Sequence, residues 1–214
     1  MNPGLLPVNA SLGWVCTALL TVVLLAALLR APWSALVARQ ERHHMLFATL
    51  FALPLLWAMS FPLPNGWNLH LLGMTAVTLV FGWELAVVIG VLSGGALVLF
   101  GQWALAALPV SLVLVVIVPV GVTAAVLFLA DRLRRTNLFV YMLGVGFGGG
   151  MLTLLATLLV GFRIAGPGLD HAVALLLVFP EGFLNGTIVT ALTVFYPQIV
   201  RTYDDVKYLG PPRA

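Results

Sequence analysis

The sequence predicts an all-α integral membrane protein: a bundle of about seven transmembrane helices, amino terminus outside and carboxyl terminus in the cytoplasm. Three observations carry that reading. Apolar residues make up 62% of the 214-residue chain and charged residues only 8%, whereas soluble domains average about 45–50% and about 25%. Apolar runs recur along the whole chain, most of them near the roughly 17–25 residues that a bilayer core needs. Period-2 alternation is absent, which argues against a barrel. The composition excludes a soluble enzyme or nucleic-acid binder. The net charge of +3 carries no nucleic-acid signal, because the placement of the bases decides their meaning.

Leu12–Leu29 is the first span. Nothing basic precedes it, and Arg30, Arg39 and Arg42 follow it, the reverse of a secretory signal peptide. Its Cys16 is the lone cysteine of the chain, so it has no intrachain disulfide partner and reads as a small buried hydrophobe. Met45–Phe61 is the second span, ended by Pro62 and Pro64, which cannot continue a helix. Asn68–Phe100 is too long for one comfortable span. Gly82-Trp83-Glu84 divides it into helices over 68–82 and 84–100, the first of them short. The fifth span is Leu105–Leu129, with Pro109 and Pro119, the sixth Leu138–Phe162 and the seventh Ala172–Val194.

The distribution of bases tests that count, because cytoplasmic segments carry the excess of Lys and Arg. With the amino terminus outside, the inner segments hold Arg30, Arg39, Arg42, Arg132, Arg134, Arg135, Arg201, Lys207 and Arg213, and only Arg163 lies outside. A single helix over 68–100 would give six spans and put the Arg132–Arg135 cluster and the basic tail on opposite sides. Residues 1–214 therefore read as one transmembrane domain, with an external segment over 1–11 and a cytoplasmic tail over 196–214 too short to fold alone.

The sequence contains no GxxxxGK[ST], HExxH or GxSxG, and its sole lysine, Lys207, is in the tail. The chain is thus expected to bind no ATP and to be no enzyme. Glu41, Asp131, Asp204 and Asp205 fall in cytoplasmic segments and read as solvated. His43 and His44 read as interfacial residues beside Arg42. His70 stands where a helix enters the membrane, and ionisable groups at membrane depth are costly and usually face a cavity. Its position favours a satisfied interfacial histidine, with a metal ligand as the alternative, since neutral imidazole is the commonest transition-metal ligand. The amine of Met1 and the amide of Asn2 could close a five-membered chelate, while Pro3 has no N–H to add. With His70 they would make a nitrogen-rich set suited to nickel, cobalt or copper, whereas zinc more readily takes histidine and carboxylate. A frayed terminus is the competing reading.

Gly66-Trp67-Asn68-Leu69-His70-Leu71-Leu72-Gly73, followed by Leu79-Val80-Phe81-Gly82-Trp83, resembles the substrate-specific membrane subunit of energy-coupling-factor transporters of the cobalt/nickel type (CbiM/NikM-like). That family has a Gly-x-x-Gly-His-Leu-Leu-Gly segment and then a Leu-Gly-Pro-Trp turn between two spans. The start Met1-Asn2-Pro3-Gly4-Leu5-Leu6-Pro7 is similar to the family's Met-His-Ile-Pro-Asp/Glu-Gly-Phe-Leu opening. The resemblance implies seven spans, an external amino terminus and a bacterial inner membrane. It also implies a divalent nickel- or cobalt-like ion as substrate, with zinc or copper as further candidates. A transmembrane coupling subunit and ATPase subunits would drive uptake. It further implies metal ligation by Met1, Asn2 and His70. Asn2 stands where the family has histidine, and His171, on the outer 163–171 segment, could supply an imidazole instead.

In the seventh span Glu181 and Asn185 are four apart and share a helix face. Gly182, Gly186 and Thr190 form a small-residue strip, as do Gly90 with Gly94 and Gly144 with Gly148–Gly150. Such strips are either internal packing seams or a face on which a coupling subunit docks. Glu181 reads as a hydrogen-bonded interior carboxylate or as part of an ion pathway. Two rival functions stay open. One is a non-transporting assembly or sensor protein on the same fold; the other is a proton-coupled carrier using Glu181 and Asn185 in a pocket open to water.

Overall fold

The structure, a computed structural model, describes residues 9–37, 40–63, 67–132, 137–165 and 175–209. Its helices are α1 (Ala10–Arg30), the short α2 (Trp33–Val37), α3 (Gln40–Ala58), α4 (Met74–Phe81) and α5 (Trp83–Leu99). Next come α6 (Leu108–Leu112) and α7 (Val118–Arg132), joined through π turns at Val113–Ile117, and α8 (Gly149–Ala165), preceded by a π-helical stretch at Val140–Gly148. The helices α9 (Val178–Phe195) and α10 (Asp205–Leu209) follow. The π turns before α7 have a local cause: Pro119 has no N–H to offer Val115, and widening the preceding turn relieves its ring. Among the described residues, four helices are long and apolar enough to cross a membrane: Ala10–Arg30, Leu105–Arg132, Val140–Ile164 and Val178–Phe195.

The surface is apolar, unlike that of a soluble protein: Trp14, Leu29, Phe51, Leu99 and Phe195 are exposed. The core is also largely apolar, but it holds Thr75, Thr123, Thr153, Glu181 and Asn185 completely buried. An apolar exterior with polar groups turned inward is what a bilayer selects.

The expected short third span is shorter still. Residues 68–72 are not helical, and helix begins only at Met74. Gly73, at φ +67°, turns the chain into α4, a left-handed conformation that glycine adopts without steric cost. Before it, β1 (Phe61–Pro62) pairs antiparallel with β2 (Asn68–Leu69), Phe61 opposite Leu69. The break expected at Gly82-Trp83-Glu84 falls at Gly82, with φ +84°. At about 12 Å long, α4 crosses less than half a bilayer core. All of its residues are buried, and it packs against α5, α7, α8 and α9.

A half-helix inside a bundle must satisfy its terminal amides and carbonyls away from water. The chain after α9 supplies the carbonyl end. Arg201 N–H donates to Val80 O at 2.9 Å and Thr202 N–H to Leu79 O at 3.3 Å, joined by the Thr202 hydroxyl to Leu79 O at 2.8 Å. The Arg201 guanidinium reaches Phe81 O at 3.2 Å and pairs with Glu84 at 2.7 and 3.2 Å. The segment read as a tail too short to fold alone is therefore, as far as residue 209, folded onto the core. Lys207 pairs with Asp131 at 2.7 Å, and Tyr203 and Tyr208 stack at 5.3 Å. Burial, with the carboxylates of Asp205 and Asp204 nearby, pushes the Tyr203 hydroxyl up to about 12, so it stays neutral at physiological pH. Arg201→Met leaves the mostly buried Glu84 unpaired and Phe81 O uncapped. A fully buried pair costs about 3–5 kcal/mol to break; because Arg201 is one-third exposed, a loss of about 1–3 kcal/mol is expected in thermal unfolding in detergent.

The strips of Gly90 with Gly94 and of Gly182 with Gly186 are seams inside this chain, whereas Gly144 is exposed and a Cβ there would meet only Val140 of its own helix. A Cβ at Gly90 would fall 2.6 Å from Val116, one at Gly94 2.6 Å from Leu112, and one at Gly186 2.9 Å from Phe147 Cβ. At Gly182 it would meet Met151 Cγ at 2.5 Å and the Phe147 carbonyl oxygen at 2.9 Å. The last is backbone and cannot rotate away. Gly182→Val is accordingly expected to cost about 1–3 kcal/mol by overpacking, read as a lower unfolding temperature in detergent.

Candidate metal site

The β1–β2 hairpin delivers His70 to the amino-terminal end of α4, opposite the end that Arg201 caps. Leu63 N–H donates to Trp67 O at 2.7 Å and closes the hairpin. His70 is 2% exposed. Its ring lies 6.1 Å from that of Trp57 and 6.4 Å from that of Trp103, and the two indoles stack on each other at 5.6 Å. His70 Nδ1 is 2.9 Å from Leu71 O. A carbonyl accepts only from N–H, so this contact puts the proton on Nδ1 and the lone pair on Nε2, the arrangement that prepares a histidine for a metal.

The residues after His70 are fixed one by one. Trp57 Nε1–H donates to Leu72 O at 2.9 Å. Leu72 N–H donates to Glu181 Oε2 at 2.7 Å and Gly73 N–H to Glu181 Oε1 at 2.9 Å. Ala76 N–H donates to Asn185 Oδ1 at 2.8 Å, and Asn185 Nδ2 donates to Glu181 Oε1 at 2.7 Å. One face of α9 thus closes the amide end of α4, completing what Arg201 and Thr202 do at the carbonyl end. In the same first turn of α4 the hydroxyls of Thr75, Thr123 and Thr153 meet at 3.1 to 3.4 Å and tie α4 to α7 and α8.

Of the residues that the sequence singled out for metal binding, the structure places His70; Met1, Asn2 and His171 lie outside the described residues. Among the described residues no group of three or more His, Cys, Asp or Glu gathers to hold a metal, so His70 would need ligands from elsewhere. Glu181 and Asn185 share a face as their spacing implied, and both are completely buried. The carrier reading needed a water-open pocket at this pair, and the pair instead caps a helix. Nothing in the sequence marks Trp57 and Trp103 as neighbours of His70, or Arg201 as the partner of Glu84; residues so far apart leave no spacing signal. Hollows among the described residues flank α4. An apolar groove of about 330 Å³ lies between α3, α4 and α9. A more polar cavity of about 390 Å³ near Glu84, Asp131 and Arg201 has its carboxylates already engaged with Arg201 and Lys207.

An apolar helical exterior around a core that buries a few hydrogen-bonded polar residues defines a multi-pass α-helical membrane protein. The family model for the cobalt uptake substrate-specific transmembrane region (CbiM) matches residues 1–199. The chain belongs to that family, a family of transporter components. No curated protein and no solved structure gives a significant match.

Proposed function

We propose that this chain is the substrate-binding membrane subunit for uptake of a divalent transition metal ion, cobalt or nickel. The observation that carries the reading is His70: buried at the start of a half-helix, between two indoles, with its Nε2 lone pair set by the Leu71 carbonyl. Membership of a cobalt uptake family supplies the substrate class. In this reading the Met1 amine and the Asn2 amide complete the site with His70, and His171 is the further candidate. The chain forms a single domain of about seven spans in a bacterial inner membrane, with His70 facing outward and Arg201 and Lys207 facing the cytoplasm. Those bases stand at the α4 end opposite His70, the side on which the positive-inside rule expects them. Separate coupling and ATPase subunits drive the release.

Asn2 in the place of the family's histidine favours a second reading, a non-transporting sensor or assembly protein on the same fold, because an amide oxygen is a weaker nickel ligand than imidazole. Accumulation of radioactive cobalt separates the two. Cells expressing the chain with its coupling and ATPase subunits should concentrate cobalt above cells expressing the His70→Gln variant. Equal accumulation would contradict the uptake reading.

A further inference from the structure

Glu181 is a buried carboxylate without a cationic partner among the described residues, whose ion pairs, Arg201–Glu84 and Lys207–Asp131, lie at the other end of α4. Its two oxygens face three donors: Leu72 N–H, Gly73 N–H and Asn185 Nδ2. Three N–H donors converging on the two oxygens favour the ionised form, which accepts all of them most strongly. The amino-terminal end of a helix carries about +0.5 of a unit charge. Left bare, that end of α4 would repel a cation arriving at His70, which lies two residues before Leu72. With a full negative charge on the same amides, the local sum becomes about −0.5, and the site attracts a cation. Helix ends that point at a site in a membrane normally suit anions; here the carboxylate already occupies the anion's place.

We infer that Glu181, steadied by Asn185, is a positioning residue for cation binding: it fixes the turn that carries His70 and reverses the field of the α4 amino terminus. The inference rests on the reading of His70 as a metal ligand and names what makes that place selective for a divalent cation. Asn185 contributes on both sides, since its Nδ2 holds Glu181 while its Oδ1 accepts from Ala76 N–H. In Glu181→Gln one oxygen becomes an NH₂ that faces an N–H, and the charge is gone, with little change in volume.

The test uses the full chain in detergent, with Co²⁺ and Ag⁺ as probes and metal-free hydrogen exchange of residues 68–77. For E181Q, Co²⁺ affinity is expected to fall at least about tenfold, in the range of outer-shell losses. Ag⁺ affinity is expected to fall about threefold less, because the lost electrostatic work scales with ion charge. Residues 68–77 should exchange faster while 105–132 stay unchanged. Co²⁺ affinity within twofold of wild type, or equal losses for both ions, would overturn the field reversal, and unchanged exchange would overturn the clamp. Should E181Q not fold, Asn185→Ser keeps the charge and removes one donor. Exchange at 68–77 should then rise with the Co²⁺/Ag⁺ ratio retained, and unchanged exchange or a changed ratio would overturn the inference. Wild type and His70→Gln binding Co²⁺ alike would instead overturn the placement of the metal at His70, with the exchange experiment still deciding the clamp.

Discussion

His70→Gln is expected to lower cobalt affinity by more than about 100-fold, because even the outer-shell partners of metal ligands cost about 10–100-fold when removed. The substitution is chosen to separate chemistry from packing. Histidine at this position is 2% exposed and wedged against Trp57 and Trp103, so truncation to alanine would open a cavity and blur the result. Glutamine nearly fills the same space, and its side-chain amide can donate to Leu71 O as Nδ1 does now. It offers no nitrogen lone pair to a metal. Isothermal titration of the purified variant should therefore show lost binding with an unfolding temperature close to that of the wild type. An affinity within a few fold of wild type would remove His70 from the site.

The largest effect on stability is expected at Glu181→Leu. Leucine is of similar size but leaves Leu72 N–H, Gly73 N–H and Asn185 Nδ2 facing an apolar side chain at a completely buried position. Asn185 keeps its contact with Glu181 O at 2.8 Å through the backbone, so its loss is partial. Each orphaned buried donor costs about 1–3 kcal/mol, which sums to about 3–5 kcal/mol for the variant. Thermal unfolding in detergent reads that loss directly. A change below about 1 kcal/mol would mean that α4 can close its amide end without α9.

Much of the helical layout was legible in the sequence because a bilayer imposes length and apolarity on each segment. The break at Gly82 and the partition of Leu105–Leu129 from Leu138–Phe162 follow from glycine chemistry and from the Arg132–Arg135 cluster. The span expected over Met45–Phe61 is instead a helix over Gln40–Ala58 that ends before Pro62 is reached. The start of α4 was misjudged for a physical reason. Residues 68–72 are as apolar as a helix, yet Glu181, far along the chain, takes the amides of Leu72 and Gly73, and Gly73 turns left-handed. Long-range caps of this kind leave no periodicity. The same holds for Arg201, whose partners Glu84 and Phe81 O belong to the distant α4–α5 junction. His70 stood out as an ionisable residue where a helix enters the membrane. Its ring environment, with Trp57 coming from α3 and Trp103 from the loop after α5, is a product of tertiary packing alone. The glycine strips were visible as strips, and contacts with Phe147, Met151, Leu112 and Val116 place those of Gly182 with Gly186 and Gly90 with Gly94 inside the bundle.

The central claim is that a divalent transition metal binds at the outer end of α4 through His70 and the amino terminus. Its most direct test is a titration of Co²⁺ and Ni²⁺ onto the purified full chain beginning at Met1, beside a form with one residue added ahead of Met1. Tight binding of a single cation is expected in the first form and its loss in the second, as in His70→Gln. No binding of either metal, or binding that is indifferent to both changes, would contradict it.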